Sequence, residues 1–174
     1  GDWSLRLRLA SPANPEGVWL RLPDYSVLNR WMPGEVEMVL QALSAESPRD
    51  CTLLEARCII PELQESAEQY EDLEQLIRDG NDLGYVLDEQ GQGQPHFLEK
   101  YFAAMELEQC DTIAMALDIA QNLNCYDMVL AGQEKEYGLK RMEKLMNQPA
   151  DPVLTPACAW RSMGFICWNR RDMS

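Results

Sequence analysis

"PELQESAEQYEDLEQLIRDGNDLG", residues 61–84, crowds its carboxylates against a single cation, Arg78. Its apolar residues recur at three and four. If residues 71–89 form a helix, Leu73, Leu76, Ile77, Leu83, Gly84 and Leu87 fall on one side at 100° per residue. Glu71, Glu74, Asp79, Asp82 and Glu89 then face the other way. Before Pro61 the period is two. "WSLRLRLA" (3–10) and "GVWLRLP" (17–23) each put three apolar residues on one face, Leu5, Leu7, Leu9 and Val18, Leu20, Leu22, and read as strands. "SPANPEG" (11–17) supplies the Pro, Asn and Gly of a turn, so the two form an antiparallel hairpin. "CTLLEARCII" (51–60) reads as a third strand. A helix between them starts near Asp24 or Pro33, with Val36, Val39, Leu40 and Leu43 as its buried stripe. Strands followed by helices make the fold class α+β: an N-terminal antiparallel sheet with a helix, then mainly helical acidic segments.

Beyond the acidic stretch, "DEQGQGQP" (88–95) is the clearest helix breaker. A helix is expected from about His96 to Glu108. "CDTIAMALDIAQNLNCYD" (110–127) offers Asp111 as its N-cap and repeats Ile113, Ala116, Leu117, Ala120 and Leu123 at three or four. An extended "YDMVLA" (126–131) leads to a helix from Glu134 to about Asn147. Three subdomains are expected: an α+β one over 1–60, an acidic helical one over 61–108 and a C-terminal α+β one over 109–174.

The 174 residues carry a formal net charge of −14, and the charge is local. Residues 62–111 hold 14 acids and two bases, a net of −12. An acidic run is ordinarily a solvated face that keeps a protein soluble. Solvated helices, however, mix Glu with Lys at i,i+4, whereas like charges at that spacing repel. A helical turn rises about 5.4 Å, so a ridge of this kind can present anions at a spacing similar to DNA phosphates, roughly 3.4 Å apart along a strand.

Other chemistries fit less well. The cysteines Cys51, Cys58, Cys110, Cys125, Cys158 and Cys167 form no Cys-x-x-Cys pair and read as reduced core thiols. His96 has no nucleophile motif to serve, and no glycine-rich phosphate loop occurs. A carboxylate or metal hydrolase would need a few aimed acids in a cleft. Direct nucleic-acid binding is disfavoured, because the bases do not gather into a stripe and the pairs Arg6 with Arg8 and Arg170 with Arg171 are too small to reverse the charge. With no apolar run of membrane length and no secretory signal, the expected location is the cytoplasm.

"GVWLRLP" (17–23), "LLEARCIIP" (53–61), "YEDLEQLIRDGNDLG" (70–84) and "ALDIAQNLNCYDMVLAGQEKEYGLKRMEK" (116–144) together resemble the ArdA antirestriction proteins, in the divergent forms carried on mobile elements. The resemblance implies an elongated α+β chain of small subdomains, without cofactor, metal or catalysis. It also implies carboxylates that imitate the phosphates of bent B-form DNA and occupy the DNA-binding groove of type I restriction-modification enzymes. Carried onto this chain by charge and helical facing, the mimic surface is expected to draw on Glu62, Glu65, Glu68, Glu71, Asp72, Glu74, Asp79, Asp82, Asp88, Glu89, Glu106, Glu108 and Asp111. A homodimer contact is expected at Tyr137, Gly138, Leu139 and Met142, within "KEYGLKRMEKLM" (135–146), where Lys140, Arg141 and Lys144 stand in place of the family's acids. The rival reading is an acidic protein–protein adaptor without DNA mimicry.

Overall fold

A computed structural model describes residues 3–24 and 34–130, together with the strand backbones of 159–162 and 165–169. The chain groups into two compact units, Gly1–Gln94 with Asp111–Leu117, and Pro95–Cys110 with Asp118–Ser174. The α+β class stands: an antiparallel sheet leads and mostly helical segments follow.

In the first unit β1 (Leu5–Ser11), β2 (Asn14–Leu22) and β3 (Thr52–Cys58) form an antiparallel sheet in the order β2-β1-β3. The period-two pattern acts as expected. Leu5, Leu7, Leu9, Leu20 and Leu22 are all buried on one face. Cross-strand register aligns Leu5 with Leu22 and Cys58, and Leu7 with Leu20 and Ala56. The hairpin turn is tighter than the sequence suggests, because Ser11 already pairs with Asn14. Pro15 is therefore inside β2, which its missing N–H permits on an edge strand.

Helix α1 (Glu35–Ala42) covers part of the leucine face, with Val39 and Leu43 buried and the Asp24 carboxylate accepting from Val36 N at 3.1 Å. After β3 a 3-10 turn, Pro61–Leu63, runs into α2 (Gln64–Glu68). Helix α3 (Leu73–Tyr85) then crosses the leucine face on its small residues. A Cβ added to Gly80 would lie 2.6 Å from Leu22 Cδ1 and 2.7 Å from Leu5 Cδ1, and one on Gly84 would meet Pro23 at 2.6 Å. Ser4 locks the same contact, its buried hydroxyl donating to Gly80 O at 2.6 Å.

The expected breaker at 88–95 acts later than the sequence suggests. The helix continues as a π turn over Val86–Gln90 and one further turn, α4 (Gly91–Gly93). Burial of Val86 favours continuation over the helix cost of two glycines, about 1 kcal/mol each.

In the second unit α5 (Phe97–Leu107) packs on a sheet of β4 (Tyr126–Leu130), β5 (Ala159–Ser162) and β6 (Phe165–Asn169), ordered β4-β6-β5 and antiparallel throughout. Phe97, Tyr101, Ala104 and Met105 form the buried side of α5. Helix α6 (Ile113–Gln121) begins in the first unit and ends in the second. Thr112, one residue later than the expected cap, holds its start through a bond from Met115 N to Oγ1 at 3.2 Å. The helix expected from Glu134 and the dimer residues Tyr137, Gly138, Leu139 and Met142 lie outside the described residues.

Candidate functional site

The acidic surface is assembled by α2 and α3, and α2 is pinned to the sheet by one side chain. Gln64 Oε1 accepts from Cys58 N at 2.8 Å while its Nε2 donates to Ala56 O and to Glu68 Oε1. That staple fixes where Glu62, Glu65 and Glu68 emerge, all three exposed. Asp72 caps α3, its Oδ1 accepting from Glu74 N at 3.0 Å. Asp72 and Glu74 thereby meet the positive end of the helix dipole, where carboxylates are stabilising.

From Glu71 through α3 and the π turn that extends it, the side facing away from the sheet is less uniform than the 100° projection implies. Glu71, Asp82 and Glu89 are exposed, whereas Glu74, Asp79 and Asp88 are half-buried, and Gln75, Arg78 and Tyr85 share the solvent side. Asp79 is turned sideways and held at both oxygens, by Tyr70 Oη at 2.6 Å and by Gln75 Nε2 at 2.8 Å. This contact reaches back across a loop. Burial and then the bond to Asp79 push the Tyr70 hydroxyl well above its ordinary range, so it stays a donor. Burial and then the neighbouring Asp79 charge push Asp82 up as well.

The ion-pair inventory separates this surface from an ordinary helix face. Of its carboxylates, Glu74 is held by Arg49 Nε at 3.3 Å. Among the described residues Glu62, Glu65, Glu68, Glu71, Asp72, Asp79, Asp82, Glu89 and Asp111 make no ion pair. The nearest intrahelical cation does not change this, because Arg78 Nη2 donates to Gln75 Oε1 at 2.8 Å.

Glu62, Glu65 and Asp111 also border a shallow groove of about 410 Å³ with Ser66, Tyr70 and Thr112. Asp111 reaches it because Ser66 Oγ accepts from Ile113 N at 3.0 Å, tying the start of α6 to α2. Among the described residues no group of three His, Cys, Asp or Glu side chains is arranged to hold a metal ion. Burial raises the thiols of Cys51 and Cys58, the opposite of what a nucleophilic thiolate requires. No helix among the described residues is long and apolar enough to cross a membrane. Glu106 and Glu108 are in the second unit, where Glu106 is exposed and Glu108 Oε1 accepts from Tyr126 Oη at 2.6 Å. His96 lies there too, 3.8 Å from Glu99, in the left-handed conformation at the start of α5.

One cluster runs against the expectation that the bases do not gather. Register places Arg21, Arg6 and Arg57 directly opposite one another across the three strands, with Trp19, Arg8 and Glu55 in the neighbouring row. The signal was present in the period-two pattern, which puts these residues opposite the leucines. What was missing was the strand pairing that aligns them. Comparison with protein-family models, with curated proteins and with solved structures returns no match.

Proposed function

We propose that this chain is a cytoplasmic DNA-mimic antirestriction protein, which occupies the DNA-binding groove of a type I restriction-modification enzyme and performs no catalysis. The observation that carries the reading is that, among the described residues, the carboxylates of α2 and α3 other than Glu74 make no ion pair. Exposed carboxylates without an ion pair, Glu65, Glu68 and Asp82 among them, leave their charge to an external surface. Within one helix, anions a turn apart stand about 5–6 Å from one another, of the same order as the roughly 3.4 Å of axis per phosphate along a DNA strand. Association should be fast through electrostatic steering and should weaken steeply with salt, since screening acts beyond about 10 Å at 0.1 M.

The test is displacement of a labelled duplex from a type I methyltransferase core. The protein should compete at about 50 mM NaCl and lose most of its competition by about 300 mM. Failure to displace the duplex at the lower salt overturns the proposal.

Tyr85, 52% exposed on the solvent side of α3, favours a second reading, an acidic adaptor that binds through apolar contacts. Neutralising Glu62, Glu71, Asp82 and Glu89 to amides separates the two. A mimic loses its binding, whereas an adaptor keeps it and loses it instead on Tyr85→Ser.

A further inference from the structure

We infer that the outward face of the first sheet is a second binding surface, of opposite sign, built to take a short carboxylate-rich segment of a partner protein. The face carries Arg21, Arg6 and Arg57 in one cross-strand row and Arg8 in the next, with Trp19 beside it. Like charges directly opposite on neighbouring strands repel, as Arg6 and Arg57 are placed here. Glu55 is the single acid facing these residues in the paired rows. It is shared, with Arg57 Nη2 at 2.7 Å and Arg8 Nε at 3.7 Å. Arg6 has no carboxylate partner among the described residues, and its guanidinium carbon sits 4.3 Å from the centre of the Trp3 ring.

Apolar surface adjoins the charge. Trp19 is 45% exposed and Leu54 is 42% exposed. Gly17 leaves room for both Leu54 and the Arg8 stem, since an added Cβ would lie 3.2 Å from each. Arginine and tryptophan around an apolar centre is the composition of protein-interface hot spots.

Size and charge select the occupant. Three residues across three strands span about 10 Å, the reach of two or three carboxylates spaced by strand or helix geometry. A nucleic acid would run beyond that patch and meet the repulsion of a chain whose formal net charge is −14. A short acidic segment ends before it. This surface is independent of the carboxylate ridge, because α3 packs on the sheet's other face, against Leu5 and Leu22.

The test uses the full chain labelled with nitrogen-15. It is titrated with a capped glutamate-rich peptide of roughly a dozen residues and, separately, with an oligodeoxythymidine of equal charge. The peptide should shift the Trp19 indole and the Arg6 and Arg57 Nε signals, and its affinity should fall about tenfold in the Arg6→Gln, Arg57→Gln double variant. The exposed variant Trp19→Ala should weaken it too, and serves if the double variant fails to fold. Absence of shifts at these residues overturns the inference, as does peptide binding that these variants leave intact. Equal or tighter binding of the oligonucleotide there would make it a nucleic-acid face. Concentration-dependent self-association abolished by the double variant would assign the face to a second copy. Either result overturns the inference.

Discussion

Replacing Gly80 with alanine tests how the acidic helix is held, and its sign depends on two opposed effects. Alanine favours helix over glycine by about 1 kcal/mol. Against this, the new Cβ would stand 2.6 Å from Leu22 Cδ1 and 2.7 Å from Leu5 Cδ1, where relaxed carbon atoms keep about 3.5–4.0 Å. Leu5 and Leu22 are both 0% exposed, so neither can swing into solvent. Relief therefore requires α3 to lift by about 1 Å, and overpacking of this kind costs about 1–3 kcal/mol. Lifting also stretches the 2.6 Å bond from Ser4 to Gly80 O, a further loss of about 1 kcal/mol. The balance is a destabilisation of about 1–3 kcal/mol. Gly93→Ala is the control, helical and with nothing within 4 Å of its added Cβ, and should gain about 0.4–1 kcal/mol. Urea midpoints followed by circular dichroism at 222 nm read both variants. A Gly80→Ala midpoint at or above that of the parent protein refutes the packing argument.

Asp82→Asn should stabilise the protein by about 0.2–0.5 kcal/mol near neutral pH, the scale of one like-charge pair. The folded-state pKa of Asp82 is raised, so the native state is favoured below the unfolded value and loses that advantage as pH rises through the folded one. The gain from the amide should accordingly vanish in melts near pH 3, and a gain that persists there contradicts the assignment. Tyr70→Phe removes the donor to Asp79 Oδ2 from a half-buried carboxylate and should cost about 1 kcal/mol by chemical denaturation, with an unchanged midpoint counting against it. Raising NaCl from about 20 to about 300 mM should raise the thermal midpoint by screening the self-repulsion of the ridge, and a steady fall over that range would reject it.

The strands of the first unit and the core side of α3 were legible because a single periodicity governs each. Leu5, Leu7 and Leu9 need only a period of two, and Leu76, Ile77 and Leu83 only a period near 3.6. What escaped depends on contacts between segments. Asp79 projects onto the solvent side of a helical wheel, yet Tyr70, nine residues earlier, draws it aside. Gly91 and Gly93 read as a stop, yet the helix continues past the buried Val86. Thr112, rather than the acid before it, meets the free N–H groups of α6, a difference of one residue that composition does not resolve. Gln64 carries no pattern at all. Its importance comes from two backbone groups of β3 that lie beside α2 only after folding.

The segregation of charge in the first unit explains why Glu65, Glu68, Asp79 and Asp82, on α2 and α3, make no ion pair with the arginines of the sheet. Arg6, Arg8, Arg21 and Arg57 alternate with the core residues of their strands, so the pleat that buries the leucines sends every one of these cations to the opposite side of the sheet. Helix α3 packs on the leucine side, which places its exposed Asp82 across the buried leucine layer from the arginines. The loss in stability is small, because an exposed ion pair contributes only about 0.2–1 kcal/mol. The gain is collective, since separated charges add into a field with a direction where intermixed charges cancel. A field of this direction is what the proposed approach of the helical side to a basic surface would use. The strand periodicity thus sets the arginines on one side of the buried leucine layer and the carboxylates of α3 on the other.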